Sequence, residues 1–138
     1  PIMRLYGEQY MNQYSLLKNT FLINGFLSAV TGLICLFLSD NLSTLFGNIS
    51  SLYLEVIGGG LVVFGGFVFF FGKKEKPNLI ISRIIFYLDV VWVLGTTGLL
   101  ALFSESIHIR GFAFATAVGL AVLGFAIFEF KGIKKIET

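Results

Sequence analysis

Residues 84–104 read IIFYLDVVWVLGTTGLLALFS, an apolar run broken by one acid, Asp89. A helix rises ~1.5 Å per residue, so about 20 residues cross a hydrocarbon core of ~30 Å. Similar runs lie on both sides: Asn19 to Ser39, Val56 to Gly72 and Gly111 to Phe128, each ended by charged residues. Four spans are predicted, at about 20–39, 52–72, 84–103 and 111–130. The runs are continuous and do not alternate, which favours helices over a barrel. The expected fold is all-α: one integral membrane domain over 1–138, built as a four-transmembrane-helix bundle.

Composition agrees. Hydrophobic residues make up 56% of the 138, charged residues 13%, aromatics 16%, and mean hydropathy is +0.87. Ordinary globular chains are roughly 45–50% apolar and ~25% charged. A soluble fold of this size could not cover so much apolar surface. Disorder, collagen and a disulfide scaffold are also excluded, the last because Cys35 is the single cysteine and sits inside an apolar run.

Every Lys and Arg except Arg110 falls on one side of these spans: Arg4 and Lys18; Lys73, Lys74, Lys76 and Arg83; Lys131, Lys134 and Lys135. The positive-inside bias then predicts a multi-pass protein of the cytoplasmic (inner) membrane with both termini cytoplasmic. The outer loops are Asp40 to about Ser51, and Ser104 to Arg110. The first span reads as a retained helix, being too long for a signal peptide core and followed by no small-residue cleavage pattern. Ahead of it, residues 1–18 carry Tyr6, Tyr10 and Tyr14 at helical spacing, as an amphipathic interfacial segment would.

The spans read as two parallel helical-hairpin repeats. Thr31-Gly32-Leu33-Ile34-Cys35-Leu36-Phe37 matches Thr97-Gly98-Leu99-Leu100-Ala101-Leu102-Phe103, and Gly60-Leu61-Val62-Val63-Phe64-Gly65 matches Gly119-Leu120-Ala121-Val122-Leu123-Gly124. Such a repeat has its pseudo-twofold axis along the membrane normal. Small residues permit close helix contact in lipid. Spans two (Gly58, Gly59, Gly60, Gly65, Gly66) and four (Gly111, Ala113, Ala115, Ala117, Gly119, Ala121, Gly124) are therefore expected to face the bundle with those sides, and Phe67, Phe69, Phe70 and Phe71 to face lipid.

A charge inside a membrane needs a reason, costing roughly 2.5–3.5 kcal/mol at mid-depth on insertion scales. Asp89 is the foremost candidate. In the repeat, Asn24 aligns with Val90, beside Asp89, so Asn24 and Asp89 can meet across the axis; Trp92 lies on the same helix side as Asp89. The functional reading is a ligand-binding pocket made by Asn24, Asp89 and Trp92, with Thr31 as a further lining candidate, opening to the inner leaflet, with an acid able to carry its proton at neutral pH. The structural reading is an interhelical hydrogen bond from Asp89 to Asn24 or Thr31. Glu55 is a possible second polar site near the outer interface, and Glu129 is expected to snorkel at the inner end. Thr96, Thr97 and Thr116 are expected to bond back to their own helices.

Several chemistries are disfavoured. The one histidine, His108, lies in an outer loop, which excludes bis-His haem. No ligand set of a metal site clusters in sequence, no span carries a retinal-type lysine, and no nucleic-acid platform of interleaved basic and aromatic residues occurs. No cofactor is expected.

The segments Asn24-Gly25, Thr31-Gly32-Leu33, Leu45-Phe46-Gly47, Val56-Ile57-Gly58, Asp89-Val90-Val91-Trp92-Val93-Leu94-Gly95 and Phe128-Glu129-Phe130-Lys131-Gly132-Ile133-Lys134-Lys135 resemble a group of small, uncharacterised bacterial four-span membrane proteins. The resemblance covers most of the chain after residue 20 and implies a four-helix architecture but no activity. Tetraspanin and claudin signatures, which need extracellular cysteines, are absent. The expected function is a non-enzymatic membrane module binding a lipid or other apolar small molecule near Asp89. The alternatives are a small proton-coupled transporter acting as an oligomer, or a structural accessory subunit of a membrane complex. Partners are then membrane lipids, a second copy or another membrane protein.

Overall fold

The computed structural model describes the backbone of residues 2–137 and the side chains of residues 14–137. The described chain is helical: α1 (Ile2–Phe37), α2 (Ser39–Leu45), α3 (Ser51–Gly72), α4 (Leu79–Phe103) and α5 (Ile109–Glu137). All but α2 contain a stretch long and apolar enough to cross a membrane. The N-terminal segment and the first span are one helix, and Tyr6 and Tyr10 lie outside the described side chains. The loop expected from Asp40 to Ser51 contains α2, which ends where Gly47 (φ 77°) and Asn48 (φ 57°) turn left-handed, a conformation that glycine adopts freely. Just before that turn, Leu45 O accepts from the His108 amide at 2.9 Å, joining the end of α2 to the segment ahead of α5.

α1 and α3 pack most closely, and glycine makes this possible. Gly25 and Gly32 of α1 face Gly65 and Gly58 of α3 along an antiparallel seam. A Cβ added at Gly25 would sit 2.5 Å from Phe69 N and 2.6 Å from Gly65 O; one at Gly32 would sit 2.6 Å from Gly58 O. The backbones themselves touch, maximising dispersion where lipid offers no hydrophobic drive. The expected small-residue faces are therefore only partly right. Gly58 and Gly65 pack inward, but Gly59, Gly60 and Gly66 open outward with nothing near them, and so does Gly124. In α5, Gly111 packs on Leu45 and Gly132 on Leu17, whereas Ala113, Ala117 and Ala121 are exposed. Helical phase explains the split, since residues adjacent in sequence cannot share one face.

α4 pairs with α5, and α5 also packs on α1, so that α1 and α5 form the centre with α3 and α4 outside them. At the end bearing the Lys and Arg clusters, Leu17, Phe21, Val68, Phe71, Ile85 and Ile133 form one core drawn from all four long helices. Phe71 is thus buried rather than lipid-facing, its ring 5.5 Å from that of Phe21, while Phe67 and Phe70 are exposed as expected. A second cluster, Cys35, Leu42 and Leu54, holds α2 against α1 and α3 at the opposite end.

α4 begins cleanly because Pro77 precedes Asn78, whose Oδ1 accepts from the Ile80 and Ile81 amides at 2.8 and 3.2 Å. Those amides otherwise lack partners, as in any first helical turn. Asn78→Ala is expected to destabilise the protein by ~1 kcal/mol, read as a lowered midpoint in thermal unfolding followed by circular dichroism in detergent. An unchanged midpoint would show that the cap contributes nothing.

Candidate functional site

Buried positions recur at helical seam spacing on three helices: Leu17, Phe21, Asn24 and Ser28 on α1; Ser82, Ile85 and Asp89 on α4; Val122, Ala126, Glu129 and Ile133 on α5. In each stripe a polar residue continues an apolar face at i+3 or i+4, so that it must point into the protein. Asn24 and Glu129 are fully buried, Asp89 is 3% exposed, and Ser28 is buried as well.

The four side chains form one cluster. Asn24 Nδ2 donates to Asp89 Oδ2 at 2.8 Å and to Glu129 Oε1 at 3.0 Å, and Ser28 Oγ donates to Asn24 Oδ1 at 3.0 Å. Both amide protons and the amide oxygen of Asn24 are therefore engaged. The Asp89 and Glu129 carboxyls lie within hydrogen-bonding reach of each other. Two carboxylates are acceptors only, so this contact becomes a bond when one carries a proton. Glu129 Oε2 is buried and accepts nothing. Leu17, Phe21, Phe71, Ile85 and Ile133 lie one to two turns nearer the basic end and separate the cluster from it.

The Asn24 to Asp89 hydrogen bond read from the repeat alignment is present. Glu129 does not snorkel. Its side chain points inward to Asn24, because the spacing from Val122 through Ala126 to Ile133 puts residue 129 on the packed face of α5. That spacing was the signal available in sequence; the nearby Lys131 obscured it by suggesting the membrane rim. Thr31 stands apart, its hydroxyl donating to Leu27 O of its own helix at 2.8 Å. Trp92 is half-buried, one turn beyond Asp89, and its Nε1 is buried without an acceptor. Thr116 does not bond back to its helix: its Oγ1 is buried and unpartnered. Glu55 is exposed at the opposite end, accepting from Ser39 Oγ at 3.3 Å.

Two shallow apolar grooves flank α5. One, of about 320 Å³, lies between α1 and α5 and is lined by Ile23, Leu27, Leu120 and Phe128 among others. The other, of about 270 Å³, lies between α4 and α5 and runs from Leu123 to Lys131. Neither is lined by Asn24, Asp89 or Trp92. Among the described residues, no three His, Cys, Asp or Glu side chains gather as a metal site. At the basic rim, Arg83 pairs with Glu137, and Lys131 lies over the Phe128 ring at 5.9 Å.

The chemistry of the cluster follows from its parts. Desolvation makes two bare carboxylates expensive, one shared proton relieves much of that cost, and a single amide holds both groups in place. The site gathers carboxyl, amide and hydroxyl oxygens in one buried place, and it offers no nucleophile with a base beside it. No known protein family, curated protein or solved structure matches the chain.

Proposed function

We propose that this chain is a small proton-coupled membrane transporter working as an oligomer, in which Asp89 and Glu129 share the exchangeable proton and Asn24 is their common donor. The observation that carries the reading is the convergence of two buried carboxyls from α4 and α5 on one buried amide from α1. A purely structural tie needs no such pair, since an amide bonded to an amide joins helices without desolvating charge. Intramembrane acids of this kind mark ion pathways and proton relays. Exchange of the proton changes the charge at a polar cluster joining α1, α4 and α5, and so couples charge to helix packing.

The finer architecture belongs to the same reading. The close pairing of α1 with α3 and of α4 with α5 supports two parallel hairpins related by an axis along the membrane normal. The distribution of Lys and Arg supports an inner-membrane protein with both termini cytoplasmic. A second copy would pack on α4, whose Gly95 and Gly98 face open space.

Binding of a lipid or other apolar molecule is the second reading, favoured by the apolar grooves beside α5, one of which ends at Lys131. Membrane lipids are then the partner, with acyl chains in the grooves rather than against Trp92.

Infrared difference spectroscopy on protein in lipid nanodiscs tests the first reading. A carboxylic-acid C=O band is expected at neutral pH, lost on a jump to alkaline pH, and weakened or abolished in Asp89→Asn and in Glu129→Gln. Without a titrating band in the wild type there is no exchangeable proton and no coupling. Lipid retained in native mass spectra, with no such band, would favour the second reading.

A further inference from the structure

Proton exchange leaves three properties of the cluster unused. Glu129 Oε2 is buried and accepts no hydrogen bond. Ser28 Oγ donates to Asn24 Oδ1, yet a hydroxyl accepts as readily as it donates. The Asn24 amide, with nitrogen toward the carboxyls and oxygen toward Ser28, can turn over about its terminal torsion, which has broad, roughly two-fold minima.

We propose that the cluster of Asn24, Ser28, Asp89 and Glu129 also binds a sodium ion in exchange for its proton, with the Asn24 amide turning to present Oδ1 to the ion. This rests on the reading of Asp89 and Glu129 as the ion-binding pair. Hard, small cations seek oxygen ligands. After the turn, Asn24 Oδ1 takes the place of Nδ2, between Asp89 Oδ2 and Glu129 Oε1, which lie 2.8 and 3.0 Å from that atom. Glu129 Oε2 adds a further oxygen that has no other partner. On the far side, Nδ2 then donates to Ser28 Oγ, so the amide keeps its bond to serine in both orientations. The two N–H bonds to carboxyl oxygens are replaced by ion contacts.

Charge balances. One sodium ion enters, one proton leaves to solvent, and the cluster keeps the same net charge, so both states are accommodated by the same apolar surroundings. The charged groups nearest on each packed element do not intrude. On α4, Arg83 pairs with Glu137. On α5, Lys131 lies over Phe128, and just past the end of α3, Lys73 lies over Phe69 at 4.8 Å. On α1, Lys18 is nearly two turns nearer the basic end than Asn24. The narrow spacing of the oxygens selects sodium over the larger potassium ion.

The test uses the full chain in lipid nanodiscs at mildly alkaline pH, with NaCl replacing KCl at constant ionic strength. The carboxylic-acid band should disappear saturably with sodium while a soluble dye records about one proton released per chain. Potassium should be at least about tenfold weaker, a difference of ~1.4 kcal/mol. As Asn24 turns, its side-chain amide C=O exchanges the serine hydroxyl for the ion, so the sodium difference spectrum should also carry a shifted side-chain amide band. If the band titrates with pH but ignores sodium, the sodium site is disproved and the proton site stands. If no band titrates at any pH, both fall. A sodium response of the carboxylic-acid band with no accompanying amide shift would overturn the turning of the amide.

Discussion

Gly25→Ala is expected to destabilise the protein by about 3 kcal/mol or more, at or beyond the upper end of the usual range for overpacked interiors. The added Cβ meets Phe69 N at 2.5 Å and Gly65 O at 2.6 Å. Both are backbone atoms, so no side chain can rotate away, and relief requires α1 and α3 to move apart along their length. Gly65→Ala should behave alike, since its Cβ would meet Ala29 N and Gly25 O at 2.6 Å. Gly59→Ala, Gly60→Ala and Gly66→Ala meet nothing and should leave stability unchanged or raised by up to ~1 kcal/mol through helix propensity. Unfolding titrations in mixed micelles check the contrast. Equal effects at Gly25 and Gly60 would contradict the glycine seam.

The second large effect is expected from Asn24→Leu. The substitution strands Asp89 Oδ2 and Glu129 Oε1 without their donor in a dry interior. Removing one partner of a buried ionic group typically costs about 3–5 kcal/mol. The sign of the pH dependence is fixed by the chemistry: in acid both carboxyls are neutral and can bond to each other, so the deficit should shrink, and in alkali it should grow. Adding Asp89→Leu and Glu129→Leu to Asn24→Leu removes both stranded carboxyls, leaves the Ser28 hydroxyl to bond back to its own helix, and should recover much of the loss, because replacing charged partners by apolar side chains is often neutral or better. The measurement is a set of denaturation curves for the single and triple variants at two pH values. A triple variant weaker than Asn24→Leu alone would mean that the carboxyls stabilise the fold in some way other than through the amide.

The helices were legible because nothing in lipid competes with a continuous apolar run: their number and approximate ends follow from charge spacing. The pairing of Asn24 with Asp89 was legible because both lie at similar depth in spans that run in the same direction. Glu129 was not, because hydropathy registers its closeness to Lys131 and not the face it occupies. Phe71 was misread for the same reason; its neighbours Phe67 and Phe70 face outward, and only helical phase separates the three. The inward glycines of α1 were not legible because a lone Gly25 or Gly32 does not reveal which helix it meets, and the run Gly58-Gly59-Gly60 misleads, two of its members touching nothing. α2 escaped notice because a helix of 7 residues has too few turns for a readable period.

The backbone-to-backbone seam also lies wholly within residues 25–69. Both of its helices are complete before residue 73, so the tightest contact in the molecule is available while the second half of the chain is still being made. α4 and α5 supply both acceptors of the Asn24 amide. Each acid reaches it in one rotation of its helix, so the cluster rewards a single packing and penalises its rotated alternatives.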